Sequence, residues 1–288
     1  GYVGRAVYYP GTGNGTDAGL IMRDAEILGW DVGLEVVGTD LLILDACTID
    51  YNTTSVVLGS QDRAHISNCY LGSLGANPAL HITDDVAVGA GTYSEKIIII
   101  NNTFTGHYTG GNTYDCILID GTTSPANIQI KSNNITFYTR YGINFTTTAS
   151  IIIDSNFFNQ KSTFGVAPVY NLTGAGDGAV RIRDNRFEGG TTYTTMNLVF
   201  ARLRDNIGCA TEANGAAVVA SGTTSIAVTH GLSKTPAIGD ITVTPYSLTT
   251  NPVTYWYVGT ITSAQFTIYV NADPGSSMVF GWSALAGY

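Results

Sequence analysis

The 288-residue chain has little charge: 13 Lys and Arg against 22 Asp and Glu make up 12% of it, about half of the roughly 25% usual for a soluble domain. It is not depleted in apolar residues, which reach 44%, so the low-hydrophobicity, high-charge signature of disorder is absent. Also missing is the richness in Ala, Glu, Lys, Leu and Arg that long helices need. With few cations and a net charge of -9, the chain is a poor general binder of nucleic acid, because phosphate contacts come mainly from Lys and Arg. No run of about 18 apolar residues occurs, so no helix inserts into a membrane. Cysteine is scarce: Cys47, Cys69, Cys116 and Cys209 include no CxxC pair, which excludes a disulfide scaffold and favours buried free thiols. There is no P-loop, HExxH, GxSxG or zinc-ligand spacing, and neither a metal nor a cofactor is expected. The opening residues Gly1–Arg5 carry no initiator Met and no signal-peptide pattern, and read as the interior of a longer product. What is present is Gly (34 residues), Tyr (17) and abundant Thr, Ser and Asn.

One phrase recurs, an aliphatic residue, two spacers, Asn, a spacer and an apolar residue. It appears as Ile99-x-x-Asn102-x-Phe104, Ile130-x-x-Asn133-x-Ile135, Ile153-x-x-Asn156-x-Phe158 and Ile182-x-x-Asn185-x-Phe187, with a partial copy at Leu203-x-x-Asn206-Ile207. Degenerate copies precede it at Met22-x-x-Ala25-x-Ile27, Leu44-x-x-Cys47-x-Ile49 and His65-Ile66-Ser67-Asn68. The marker column at 25, 47, 68, 102, 133, 156, 185 and 206 advances in steps of 22, 21, 34, 31, 23, 29 and 21, so four of seven fall within 21–23 and three look like that period plus an insertion.

Each copy has too few apolar residues for a core of its own, so the copies must stack. Their aliphatic runs, such as Ile97–Ile100 and Ile151–Ile153, have strand-like length and β-branching. A period near 22 with two or three short strands predicts a parallel β-helix, with the Asn amides stacked along its axis. Eight coils at about 4.8 Å give a rod of roughly 40 Å. An ordinary sandwich would place alternating strands every 8–12 residues, and a leucine-rich repeat would show several Leu per copy. Over about residues 18–210 the chain resembles the right-handed β-helix proteins of the pectate-lyase-like superfamily.

Composition changes near residue 213. From Asn214 to Tyr288 only Lys234, Asp240 and Asp273 are charged, against 32 charged residues before them. The Asn repeat stops, and alternating strands (Ser225–Thr229, Ile241–Thr244, Thr254–Val258, Gln265–Val270) are separated by Pro- and Gly-bearing turns, which predicts a small antiparallel sandwich or jelly roll. The string Gly222-Thr-Thr-Ser-Ile-Ala-Val-Thr-His-Gly-Leu232, followed by Thr235-Pro236, Ile241-Thr-Val-Thr-Pro245, Gln265-Phe-Thr-Ile and Phe280-Gly-Trp282, resembles the C-terminal domain of bacteriophage tail fibres and tailspikes. The expected fold is therefore all-β: a lead-in over 1–17, a right-handed parallel β-helix over 18–212 and an antiparallel β-sandwich over 213–288. The resemblance implies a homotrimer on a virion tail, outside the host cell, joined to the rest of the tail by a preceding part. The tail's lack of charge and its Tyr and Trp suit a buried contact between subunits. His230 reads as a residue bonded to a turn, and Tyr255-Trp256-Tyr257 must expose at least one ring.

Loops leaving a rigid stack are where chemistry concentrates. The insertion at about 72–95 holds His81, Asp84, Asp85 and Glu95; the one at about 105–127 holds His107, Tyr108, Tyr114, Asp115 and Asp120; a third over 161–178 holds Asp177. Glycosidic hydrolysis needs two carboxylates about 5–9.5 Å apart. Asp84, Asp85, Glu95 and Asp115 are the acid/base candidates. His81, His107, Tyr108, Tyr114, Tyr138, Arg140 and Tyr141 are the substrate-binding candidates, with aromatic faces to stack on sugar rings. A turn-capping role is open for Asp84-Asp85, and Asp120-Gly121 reads as a turn. The Arg residues at 181, 183, 186, 202 and 204 read as an ion-pair ladder on the outer face. The Asp cluster and Arg of pectate lyases have no counterpart, which counts against a lyase. The expected function is that of a tailspike or tail-fibre tip that binds host surface polysaccharide, with hydrolysis as the activity such carboxylates would serve. A non-enzymatic receptor-binding fibre and a secreted polysaccharide lyase are its rivals.

Overall fold

A computed structural model describes residues 2–11, 19–74, 77–83, 96–107, 114–121, 127–146, 150–159, 167–171, 180–188, 201–208, 210–232 and 235–286. The chain divides into two compact units, Gly1–Gly208 and Cys209–Tyr288.

The first unit is a parallel β-solenoid of three sheets. The first sheet has seven strands, from Tyr2–Pro10 to Ala167–Asn171; the second has eight, from Leu20–Arg23 to Ala201–Arg204; the third has seven, from Glu26–Leu28 to Arg186–Glu188. In each sheet a strand pairs with the strand one coil away, so side chains stack like on like. In the second sheet Leu44, Ile66, Ile99, Ile130, Ile153 and Ile182 share one register row and all are buried. In the third sheet Ile27, Ile49, Leu71, Phe104, Ile135, Phe158 and Phe187 form a second inward row, where the Phe158 and Phe187 rings lie 5.0 Å apart. These rows are the apolar positions of the repeated phrase. Burying each such side chain contributes about 1.5–3 kcal/mol.

Between the second and third sheets each coil turns through two residues. The first adopts a positive φ in every coil: Asp24, Ala46, Asn68, Asn101, Ser132, Ser155, Asp184 and Asp205, all between 52° and 58°. Asp and Asn tolerate this region best, which explains their frequency there. The second points inward and forms the ladder. The Asn102, Asn133 and Asn156 backbone N–H groups each donate to the amide oxygen of the next asparagine, at 2.9 Å, and Asn185 does so to Asn206 at 3.1 Å. The third coil corrects the sequence reading: Cys69, not Asn68, stands in the ladder, donating its N–H to Asn102 Oδ1 at 2.8 Å, while Cys47 N–H approaches Cys69 Sγ at 3.4 Å. Asn68 is that coil's positive-φ residue. Cys47, Cys69 and Cys116 are buried free thiols, and burial pushes Cys69 up to about 12.

The insertions are shorter than expected. His81 lies on the regular strand Leu80–Thr83, and the 105–127 stretch contains the strand Ile117–Ile119; both belong to the first sheet. Of the arginines, Arg181 and Arg183 point outward, and Arg183 pairs with Asp154 at 3.0 Å. The side chains of Arg202 and Arg204 lie outside the described residues.

The second unit packs two antiparallel three-stranded sheets. In one, Met278–Leu285 is central between Glu212–Val219 and Ile241–Pro245; in the other, Gln265–Val270 is central between Ser225–Thr229 and Trp256–Gly259. Val219, Val228, Phe266, Ile268 and Phe280 are among the residues of their shared core. His230 is buried with both ring nitrogens engaged: Leu232 N–H donates to Nδ1 at 3.0 Å, and Nε2–H donates to Thr262 O at 3.2 Å.

Candidate functional site

Three neighbouring strands of the first sheet, Leu80–Thr83, Ile117–Ile119 and Tyr141–Phe145, gather the described candidates. Their inward residues (Leu80, Ile82, Ile117, Ile119, Ile143, Phe145) fill the core. Strand alternation then fixes an outward row, because His81 pairs with Leu118 and Leu118 with Asn144.

At one end of this row His81 Nε2 lies 2.7 Å from Asp120 Oδ1, with the two side chains 27% and 30% exposed. Asp120 extends the strand by one residue, its N–H donating to Ile82 O. Burial pushes its carboxyl upward, but the His81 hydrogen bond, the His81 charge and a Thr83 hydrogen bond outweigh this and hold it below the ordinary carboxylate range. A carboxyl depressed on folding stabilises the fold above its unfolded value of ~3.9. That stability is lost as pH falls through the folded value. A thermal-melting series below pH 5 is expected to show the wild type losing Tm more steeply than Asp120→Asn; parallel curves would refute the coupling.

At the other end Asp115 is buried and clamped. Arg140 binds it in a fork, with Nε donating to Oδ1 at 2.8 Å and Nη2 to Oδ2. Tyr141 N–H donates to Oδ1 at 3.2 Å and Asn144 Nδ2 to Oδ2 at 2.9 Å. Four donors occupy a side chain that is 1% exposed, whereas Arg140 is 41% exposed. The guanidinium carbon lies 5.5 Å from the Tyr141 ring centroid. Asp115 thus holds Arg140 and Tyr141 on the surface, and Asn144 joins the clamp to the His81 row. Tyr114 and Tyr138 are buried, and Tyr114 OH donates to Phe137 O. Gly106 makes room for Tyr114, since a Cβ there would fall on its ring. These two tyrosines therefore build the floor, and neither offers a face to solvent. Asp84, Asp85, Glu95 and Tyr108 lie outside the described residues, as does the side chain of His107.

No protein-family profile and no curated protein matches this chain. Among solved structures it is similar to the tailspike protein gp49 from Pseudomonas phage LKA1, with a TM-score of 0.29 and 10% identity over 100% of this chain and 67% of that one. It is also similar to a tailspike protein gp49 from Acinetobacter baumannii bacteriophage Fri1, described as a capsular polysaccharide depolymerase, with a TM-score of 0.24 and 11% identity over 91% of this chain and 66% of that one. The chain spans about two thirds of the length of each.

The structure brings together Asp115, Arg140, Tyr141 and, through the row, His81. Asp120 was read as a turn residue because Gly121 follows it; its 39-residue separation from His81 hides a contact across one coil. Among the described residues no group of three or more His, Cys, Asp or Glu side chains converges as a metal site would require.

Proposed function

We propose that this chain is the polysaccharide-binding part of a phage-type tailspike, trimeric on the virion tail, and that the outer face of the first sheet holds the host surface glycan. The observation that carries the reading is the outward row His81–Leu118–Asn144, with a histidine–carboxylate pair at one end and the Arg140–Tyr141 surface at the other. Strands stand about 4.8 Å apart, so a sugar chain running across them meets the hydrogen-bonding His81, the apolar Leu118 and then the Arg140–Tyr141 surface, beneath which Asn144 is buried against Asp115. The sequence string of the second unit supports the tailspike part of the reading.

In this account Arg140 and Tyr141 bind, and Asp115 positions Arg140. Asp120, bonded to His81 and held as a carboxylate, is the general base of a glycosidic hydrolysis, and the carboxylic acid that protonates the leaving oxygen comes from Asp84 or Asp85, which directly follow Thr83, or from Glu95. The test is incubation with purified host surface polysaccharide, following retention and reducing ends. His81→Ala and Tyr141→Ala, assayed well below each variant's own unfolding midpoint, should weaken retention tenfold or more. Asp120→Asn should retain the polymer and release no oligosaccharide. Retention without release by the wild type would make the chain a non-enzymatic fibre; full retention by His81→Ala and Tyr141→Ala would refute the site.

A further inference from the structure

The outward row of the first sheet does not begin at His81. Register carries it back to Tyr8, because Tyr8 pairs with Glu35, Glu35 with Val57 and Val57 with His81. It therefore runs Tyr8–Glu35–Val57–His81–Leu118–Asn144, one residue from each of six neighbouring strands.

The Tyr8 end repeats the arrangement found at Arg140. Glu35 faces outward, yet its side chain is only 7% exposed, and it is paired with Arg5, which is 48% exposed. The Arg5 guanidinium carbon lies 4.5 Å from the Tyr8 ring centroid, and Tyr8 is itself 47% exposed. Each end of the row thus has a buried carboxylate, an exposed arginine fixed to it and a tyrosine ring beside the guanidinium. The chain order differs: Arg5 precedes Tyr8 and Glu35, whereas Asp115 precedes Arg140 and Tyr141. Coil repetition therefore does not produce the likeness. A buried ion pair adds little net stability. What each pair does is hold an arginine and an aromatic ring in place at the surface, which lowers the ordering cost of binding. Just before Arg5 the strand bulges, with Gly4 at φ 110° and its N–H donating to Asp31 Oδ2 at 3.0 Å. Bulges re-aim side chains and are frequent next to functional sites.

We propose that Arg5 and Tyr8 form a second sugar-binding subsite, so that the face takes a long internal stretch of polysaccharide laid across six strands. This deepens the reading above and rests on it. Five strand spacings of about 4.8 Å separate Tyr8 from Asn144, roughly 24 Å. One spacing is comparable to a pyranose unit in an extended chain, so about six units span the row. His81 lies three spacings from the Tyr8 end and two from the Asn144 end. A fragment of about three sugars reaches from His81 to the Arg140–Tyr141 surface. At the other end it meets Arg5 and Tyr8, with the apolar Val57 beyond them. Short fragments therefore settle on the His81 half, and only longer ones engage both ends.

The experiment measures the affinity of the full chain for size-fractionated fragments of host surface polysaccharide, in a short and a long pool. Wild type, Tyr8→Ala, Tyr8→Phe and Tyr141→Ala are compared, each well below its own unfolding midpoint. The wild type should hold the long pool about tenfold more tightly than the short one. Tyr8→Ala should weaken the long pool about tenfold, the scale of one lost aromatic contact, and leave the short pool unchanged. Tyr8→Phe keeps the ring and should restore the long-pool affinity. Tyr141→Ala should weaken both pools. Wild-type affinity of Tyr8→Ala for the long pool overturns the second subsite, and a loss in Tyr141→Ala then leaves the reading of the face standing. An equal loss of both pools in Tyr8→Ala overturns the six-strand span. Wild-type affinity of Tyr141→Ala for both pools overturns the reading of the face, and the subsite with it.

Discussion

Replacing Asn156 with alanine is expected to destabilise the solenoid by about 3–5 kcal/mol, read as a fall in the urea midpoint of the β signal. The Asn156 side chain uses both ends. Its oxygen accepts from Asn133 N–H at 2.9 Å and from Asn133 Nδ2 at 3.0 Å, while its Nδ2 donates to Ile130 O at 2.8 Å and to Asn185 Oδ1 at 3.0 Å. The site is buried, so no water replaces these partners, and truncation leaves the Asn133 donors unpaired inside the stack. Asn206 provides the internal control. It receives the same two bonds from Asn185 and donates to Ile182 O at 3.0 Å, but it is only partly buried and the asparagines run no further. Asn206→Ala should cost about 1–2 kcal/mol. Equal losses at the two positions would mean that the ladder does not act as a buried network.

Arg140→Ala should be the most damaging single change at the candidate site, by about 3–5 kcal/mol. It leaves the Asp115 carboxylate buried with Asn144 and the Tyr141 N–H as its remaining donors among those described. Lysine cannot reproduce the two-pronged contact, so Arg140→Lys should recover only part of the loss. The double variant Asp115→Asn with Arg140→Ala removes the stranded charge and should be more stable than Arg140→Ala alone. Chemical denaturation of the wild type, Asp115→Asn, Arg140→Ala and the double variant tests this; additive losses would show that the pair is not coupled.

Much of the solenoid was legible because stacking forces each coil to repeat the same apolar and turn positions. Ile99, Ile130, Ile153 and Ile182 could be aligned by eye, and the structure places them in one row. Residue type alone points to Asn68 because the inward site accepts Cys as well as Asn, and the positive-φ site before it also favours Asn. By position it is Cys69 that fits the phrase, as Ile66-x-x-Cys69-x-Leu71. The site was harder to read. Asp115 and Arg140 are 25 residues apart, Asp154 and Arg183 29, and His81 and Asp120 39. Each is one coil plus its loop, so the signal was opposite charges at the coil period, not charges adjacent in sequence. That Asp115 would be enclosed, and that Tyr114 and Tyr138 would be floor, depends on burial that residue type does not encode.

Hydrogen exchange on the full chain, with and without saturating host surface polysaccharide, tests the central claim most directly. The account predicts that the glycan slows exchange in the strands Leu80–Thr83, Ile117–Ile119 and Tyr141–Phe145 and in the Arg140 turn before the last of them, with the second and third sheets unchanged. Protection confined to the second unit, or to the outer faces of the other two sheets, would contradict it.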